Sequence, residues 1–197
     1  MSAPAMVLEM HAVGALALRK WLMVAPVLAG LCTAAAQSNA QNNEPAVETK
    51  FTIVEVAGKS PFALPSLDGP AHELARHRGR VVLVHFFATW CEPCRAEIAS
   101  LRELQSRLDG QPFAIVPISV AEADGSVRRF FSGQPLPFAI LLDRDRSVAK
   151  AWNIHTLPST VVLDRDLTPR LIAEGDVDWA RPDVMKTLAD LLGKVPG

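Results

Sequence analysis

The chain has 197 residues, of which 49% are hydrophobic and 21% are charged, and its formal net charge at pH 7 is −1. Binding to nucleic acid through the phosphates requires a basic surface, and no stretch of this sequence provides one. The length allows one domain with a hydrophobic core, preceded by a targeting segment or a tail.

The first 36 residues have the pattern of an export signal. Arg19 and Lys20 precede the apolar run 21–31, and small residues with alanines at 34–36 match a cleavage site. The apolar run is shorter than the ~20 residues that a transmembrane helix needs. We favour cleavage near Ala36 or Ala40, while an uncleaved anchor and lipidation at Cys32 stay open. The protein is therefore expected to be exported, in the periplasm or its equivalent.

Residues 37–57 are predicted to form a polar linker that ends in a short strand, and residues 58–197 to form one domain. A hairpin is predicted at 58–74 around Asp68-Gly69. The other predicted strands are 51–56, 81–87, 113–120, 138–142, 160–163 and 170–174. The predicted helices run from the cysteine motif to Leu108 and over 126–131, 147–152 and 182–192. Pro117 predicts a bulge or an unpaired edge in its strand. This order of elements indicates a mixed α/β sandwich.

The motif W-C-E-P-C places Cys91 and Cys94 directly after the buried strand 81–87 and at the start of a helix. Without the signal, these are the only cysteines of the mature chain, so no disulfide framework exists to stabilise a small core. The unpaired N–H groups and the dipole at a helix N-terminus stabilise a thiolate at Cys91. Pro93 is tolerated in the first turn, whereas the charge of Glu92 opposes the dipole.

Zinc binding and a structural disulfide are the two alternatives to redox chemistry for the cysteine pair. A zinc site requires a second Cys or His pair at ligand spacing, and the five histidines supply none. A structural disulfide around one helical turn restrains little chain entropy. Reversible thiol–disulfide exchange is therefore the favoured role for Cys91 and Cys94.

The sequence resembles the TlpA/ResA-like branch of the thioredoxin superfamily, which includes the cytochrome-c-maturation thioredoxins. Three stretches carry the resemblance, namely VVLVHFFATWCEPCR at 81–95, FALPSLDG at 62–69 and TLPSTVVL at 156–163. The resemblance covers roughly 60–192. It implies a thioredoxin fold, with a central mixed sheet flanked by helices, an N-terminal β-hairpin extension and a mid-chain insertion.

The resemblance also implies roles for residues around the motif. Pro158 matches a proline with a cis peptide bond that packs against the sulfurs, and the backbone of Leu157 matches the segment that pairs with a thiol partner. The residues expected to contact a partner are Trp90, Glu92, Pro93, Thr156 and Leu157.

Two residues are candidates for handling protons. Thioredoxins carry a buried acid six residues before the first cysteine and the ResA-like branch often has asparagine, but this chain has His85, which is expected to be a core histidine bonded to backbone. Glu97 lies one turn after Cys94, at the edge of the apolar stripe Ile98, Leu101, Leu104 and Leu108. ResA-like proteins have a glutamate at the matching place, so Glu97 is the favoured proton handler and a solvated helix-face glutamate is the alternative.

The sequence therefore predicts a thiol–disulfide oxidoreductase in which Cys91 attacks and Cys94 resolves the mixed disulfide. The resemblance implies reduction of client disulfides, as in cytochrome c or metalloprotein maturation, with electrons from a membrane thiol donor. A monomer without an organic cofactor or a metal is expected. The alternatives are a disulfide-forming oxidant and a non-catalytic copper-carrying metallochaperone that uses Cys91, Cys94 and His155. Peroxidase activity is disfavoured because the threonine and cysteine spacing of peroxiredoxins is missing.

Overall fold

The computed structural model describes residues 52–53, 61–134 and 136–193. The predicted export signal and most of the predicted linker lie outside these residues. All described residues belong to the unit Pro45–Gly197, and the domain boundaries stay predictions. Within the described ranges, no helix combines the length and the apolar character that crossing a membrane requires.

The described residues form eight strands and four α-helices, mostly where the hydrophobic pattern places them. The strands are β1 (Thr52–Ile53), β2 (Ala63–Leu64), β3 (His72–Glu73), β4 (Val81–Phe87), β5 (Phe113–Val120), β6 (Leu141–Asp143), β7 (Ser159–Leu163) and β8 (Pro169–Glu174). The helices are α1 (Glu92–Arg107), α2 (Asp124–Phe131), α3 (Ser147–Ala151) and α4 (Pro182–Gly193), with a 3₁₀ turn at Leu74–His77.

Six of these strands form one mixed sheet in the order β1-β8-β7-β4-β5-β6, and β2 and β3 form a separate hairpin. β4, β5 and β6 run parallel, while β7 is antiparallel to β4 and β8 is antiparallel to β7. Every residue of β4 and β5 is buried, as expected for central strands covered on both faces. The carboxyl ends of β4 and β5 therefore meet at one edge of the sheet, where the cysteine motif begins.

Alternating side chains of β4 build a core on each face of the sheet. Val82, Val84 and Phe86 pack with Trp152 and the hairpin on one face. Val81 and Leu83 pack on the other face with the apolar sides of α1 and α4. His85 shares this second face, since its ring stacks on that of Phe87. The histidine that interrupts the apolar run is thus placed under helix α1.

Of the two alternatives predicted for Pro117, the unpaired edge is confirmed. β4 and β5 stay in register through the pair His85–Pro117, so there is no bulge, but β6 pairs with β5 only from Ile118 onwards and leaves Pro117 unpaired on that side. One other local prediction is wrong. The strand predicted at 138–142 begins at Leu141, since the carbonyl of Ile140 accepts a hydrogen bond from the Leu67 N–H instead of joining the sheet.

The remaining predicted elements are confirmed to within a few residues. Helix α1 ends at Arg107, and Gly110 adopts the positive φ of 75° that a turn after a helix requires. The predicted first strand is described only at Thr52–Ile53, where it pairs with β8 at the edge of the sheet. The hairpin has short strands, and Asp68-Gly69 lies in a long connection between them.

Candidate active site

The two cysteines lie where the buried strand β4 gives way to helix α1. Cys91 is the N-cap of the helix, and Pro93 stands in its first turn. Cys91 and Cys94 form a disulfide with an S–S distance of 2.05 Å. The N–H of Cys94 points at the sulfur of Cys91, 3.3 Å away. After reduction, that N–H and the positive end of the helix dipole can both stabilise a thiolate at Cys91.

The loop before β7 completes the surroundings of the disulfide. The Leu157–Pro158 peptide bond is cis, as the resemblance implied. The hydroxyl of Ser159 donates to the carbonyl of Thr156 at 2.8 Å and closes the turn. Leu157 packs against the hydrophobic cluster that contains both cysteines. The structure therefore brings Leu157 and the cysteine pair together although they are far apart in sequence.

A groove beside the disulfide contains three of the five predicted partner-contacting residues. Trp90, Thr156 and Leu157 line a cavity of about 220 Å³, together with Arg146 and His155 among others. Trp90 is 72% exposed, which is unusual for so large an apolar side chain. The other two predicted partner-contacting residues, Glu92 and Pro93, are exposed on the first turn of α1 but do not line this cavity.

Glu97 lies inside the protein, so its predicted position at the edge of the apolar stripe is wrong. The residue is only 2% exposed, whereas Ile98 is half-buried. Its Oε1 accepts a hydrogen bond of 2.7 Å from the N–H of Val177. Burial raises the pKa of the carboxyl to about 8 and the charge of Asp176 adds to the rise, against hydrogen bonds from Val177 and Trp179. The side chain is therefore protonated at neutral pH.

His85 is a core histidine, but its bond is not to backbone as expected. Its Nδ1 lies 2.9 Å from the hydroxyl oxygen of Thr160 on the adjacent strand β7. Its Nε2 faces Oε2 of Glu97 at 3.5 Å, and both side chains are 1% exposed. Burial lowers the pKa of His85 to about 3. At neutral pH, this contact therefore joins a neutral imidazole to a protonated carboxyl.

Sequence reasoning missed Glu122, which holds the segment leading into the cysteine motif. Its carboxylate accepts hydrogen bonds from the Thr89 N–H at 2.9 Å, from the Thr89 hydroxyl and from the Ser119 hydroxyl at 2.7 Å. The position of Glu122 in the sequence could have indicated this role, because an acidic residue just after β5 lies beside the end of the parallel strand β4. In parallel sheets, functional groups collect at that edge.

Glu122→Ala is expected to loosen the 88–90 segment and to slow thiol exchange. The substitution leaves the Thr89 N–H and the Ser119 hydroxyl without their acceptor, which lowers the free energy of unfolding by about 1–3 kcal/mol. Misplacing Cys91 slows exchange by up to about 10²-fold. Stopped-flow exchange with oxidised glutathione and urea unfolding measure the two effects. The control is Glu103→Ala, which removes an exposed ion pair with Arg107 and is expected to change neither. Unchanged exchange in Glu122→Ala would show that this carboxylate does not position the motif.

The metallochaperone alternative requires a set of side chains that can hold a copper ion. Among the residues that the structure describes, no group of three or more His, Cys, Asp or Glu side chains is arranged to hold a metal ion. His155, the third ligand of that alternative, lines the groove beside Trp90. No observation therefore favours copper binding over exchange chemistry.

The mixed sheet, the flanking helices and the disulfide at the start of α1 define a thioredoxin-fold protein. Solved structures support the fold. A DsbF homologue from Corynebacterium diphtheriae is 23% identical with a TM-score of 0.64, covering 75% of this chain and 96% of that one. A thioredoxin-family thiol:disulfide interchange protein from Chlorobium tepidum TLS is 26% identical with a TM-score of 0.56, covering 70% of this chain and 100% of that one.

The sequence comparisons identify the family. The model of the AhpC/TSA family matches residues 32–170, and the chain belongs to that family. The chain is 34% identical over 105 residues to the thiol-disulfide oxidoreductase ResA of Geobacillus thermodenitrificans, which covers 53% of this chain and 60% of that protein. The chain is 31% identical over 103 residues to ResA of Bacillus subtilis, a match that covers 52% of this chain and 58% of that protein. The resemblance to ResA-like proteins is confirmed, and the match spans about 60% of the relatives' length.

Proposed function

We propose that the protein is an exported thiol–disulfide oxidoreductase that exchanges disulfides with client proteins through Cys91 and Cys94. One observation carries the proposal: the disulfide lies at the N-terminus of α1, with Cys91 as the N-cap and the groove of Trp90 and Leu157 beside it. A helix N-terminus activates a thiolate, and an adjacent groove can hold the partner's chain. The ResA relatives are named as thiol-disulfide oxidoreductases, which supports the same activity.

The proposed reaction proceeds through two exchanges. In the reduced protein, the thiolate of Cys91 attacks one sulfur of the client disulfide, forms a mixed disulfide and releases a client thiolate, which takes up a proton. Cys94 then loses its proton and attacks the sulfur of Cys91, which releases the second client thiolate. In total, two electrons move from the protein to the client, Cys94 gives up one proton, and the two client thiolates take up two protons, at least one of them from solvent. The Cys91–Cys94 disulfide of the structure is the product of this half-cycle.

Reduction of clients is the favoured direction, as in cytochrome c or metalloprotein maturation. A membrane thiol donor would return the electrons, since the oxidising compartment outside the inner membrane offers no thiol pool. The protein would act as a monomer without a metal or an organic cofactor. Export rests on the sequence pattern of residues 1–36. Sequencing the N-terminus of the mature protein from a periplasmic fraction should give a start near Gln37 or Gln41, and an intact chain in the cytosol would refute export.

The activity and its direction are tested together by measuring the reduction potential of the Cys91–Cys94 pair. The protein is equilibrated in dithiothreitol or glutathione redox buffers, and its free thiols are counted by alkylation and mass spectrometry. A reductase should have a potential near the roughly −270 mV of thioredoxin, and a disulfide-forming oxidant one near the roughly −120 mV of DsbA. Insulin turnover with dithiothreitol is the activity readout. A protein that equilibrates with neither buffer and does not reduce insulin is not an oxidoreductase of this kind.

A further inference from the structure

The groove beside the disulfide has basic side chains and no acidic one. Among the described residues that line it, only Arg146 and His155 have side chains that can carry charge. Both side chains are exposed. Neither forms an ion pair or a side-chain hydrogen bond with another described residue. Because a guanidinium is always protonated, Arg146 places a permanent and unpaired positive charge in the groove where a client's chain is expected to lie.

The acidic residues close to the groove in the sequence have partners elsewhere. Glu92 pairs with an arginine on its own helix, and Glu122 binds the segment before the cysteine motif. Asp145 accepts a hydrogen bond of 3.0 Å from the N–H two residues further along the chain. Arg144 shows the contrast with Arg146, since two hydrogen bonds of 2.7 Å join it to an aspartate of α2. None of these carboxylates therefore neutralises Arg146.

The backbone at Arg146 has a conformation that arginine rarely adopts. Its φ is 63°, in the left-handed region that favours glycine. Ala121 has a φ of 58° and lines the same groove. Such conformations reduce the stability of the fold, and they collect at sites that bind ligands. A glycine at position 146 would relieve the strain but would remove the only permanent charge of the groove, which favours a binding role for the arginine.

The rest of the groove is mostly apolar. Trp90 is 72% exposed, and Ile154 and Leu157 line the cavity with it. Exposed aromatic side chains are frequent anchors for a partner chain. A site that combines an apolar wall with a single fixed charge discriminates between ligands by the group that faces that charge. For Arg146 the matching group is a carboxylate, which a guanidinium binds through two parallel hydrogen bonds.

We propose that Arg146 is a specificity-determining residue, and that it selects client proteins with an acidic side chain within about two residues of the cysteine that Cys91 attacks. The proposal deepens the proposed function and rests on it. The backbone of Leu157 is expected to pair with an extended client chain, so the residues that flank the client cysteine enter the groove. The charge of the client changes how readily the complex forms, and the exchange of disulfides itself is unchanged.

The proposal is tested with short peptides that contain one cysteine joined by a disulfide to 5-thio-2-nitrobenzoate. The thiolate of Cys91 attacks the peptide sulfur, and the electron pair of the broken bond leaves on the coloured nitrobenzoate thiolate. Cys94 then displaces the peptide. Absorbance gives kcat/KM for each peptide. The same peptides react with dithiothreitol as a reference, which corrects for differences in the intrinsic reactivity of the disulfides.

Aspartate, asparagine or lysine is placed in turn at each of the two positions before and after the cysteine. At low salt and at one or more positions, the aspartate peptide should react about two- to five-fold faster than the asparagine peptide, as an exposed ion pair allows. The lysine peptide should react more slowly than both. The preference should disappear in about 1 M salt, where charges are screened beyond about 3 Å.

Arg146→Gln should abolish the preference for aspartate, and Arg146→Lys should retain part of it. Lys150→Gln is the matched control, because it removes an equal charge from the exposed side of α3 outside the groove. This control should keep the full preference. A preference that survives in Arg146→Gln, or that Lys150→Gln reduces as much, overturns the proposal.

Arg146→Gly tests whether the arginine is kept at a cost to stability. Glycine adopts the positive φ without strain, so the variant should have a Tm about 2 °C higher than the wild type and should lose the preference for aspartate. A retained preference, or a Tm that does not rise, overturns the proposal.

The rates of the wild-type protein separate this proposal from the proposed function. A protein that reduces the aspartate, asparagine and lysine peptides at equal corrected rates keeps the oxidoreductase and rejects the selection of acidic clients. A protein that reduces neither the peptides nor insulin rejects the oxidoreductase, and with it the role of Arg146.

Discussion

Cys94→Ser is expected to abolish turnover and to trap the protein in a mixed disulfide with its client. Cys91 is slightly exposed, at 6%, whereas Cys94 is fully buried, so an external disulfide reaches Cys91 first. Without the Cys94 thiol, no second exchange releases the client. Insulin reduction should fall to background, and a client or glutathione adduct sensitive to reductant should accumulate, as measured by the mass of the intact protein.

Cys91→Ser is the matched control for this trap. It should lose turnover as completely but form no adduct, because Cys94 is inaccessible. Limiting iodoacetamide on the reduced wild-type protein should label Cys91 before Cys94. An adduct on Cys94 in the Cys91→Ser protein would reverse the roles of the two cysteines.

Local patterns in the sequence were sufficient to predict the strand and the helix that flank the cysteines. β4 is a continuous apolar run, and the helix after it follows from the motif and the spacing of leucines, so both were placed within a residue or two. The cis bond before Pro158 was expected only from the resemblance, since about 5–6% of X-Pro bonds are cis and nothing local identifies this one.

The side chains around the cysteines depend on distant partners and were not predictable in the same way. Helical periodicity made Ile98 part of the buried stripe and left Glu97 at its edge, but Glu97 is buried because Val177, 80 positions away, binds its carboxyl. A charge pattern on one helix contains no information about such a partner. The role of Glu122 was missed for a similar reason, since it depends on two neighbouring parallel strands.

The stability of the oxidised protein should pass through a broad maximum at mildly acidic pH. The folded protein retains the Glu97 proton up to a pKa of about 8, while the unfolded chain loses it near 4.5, so the free energy of unfolding falls as pH rises between these values. The depressed pKa of His85 has the opposite effect and removes stability as pH falls from 6.5 toward 3. Between pH 4.5 and 6.5, the two residues change the free energy of unfolding in opposite directions, so their effects largely cancel there.

Glu97→Gln should abolish the alkaline loss of stability. Glutamine can still accept the hydrogen bond from Val177, so the variant should match the wild type near pH 4 and exceed it at pH 8, by several kcal/mol and at most on the order of 5. Urea unfolding across pH 4–9 measures the difference. A wild-type stability that stays constant between pH 6.5 and 8, as a solvated glutamate would give, would contradict the buried, protonated carboxyl.

The same variant should slow disulfide exchange, because glutamine occupies the site but cannot give its proton to the departing sulfur of Cys94 or take one back. Loss of acid–base assistance of this kind slows the step by about 10²-fold and removes the inflection near pH 8 from the pH–rate profile. His85→Asn should shift that inflection but keep most of the rate, since the carboxyl remains. If Glu97→Gln leaves the profile unchanged while His85→Asn alters it, the imidazole is the proton handler. If neither variant alters the profile, the proton comes from solvent. The buried Glu97 carboxyl then has only a structural role, which is to bind the loop at Val177.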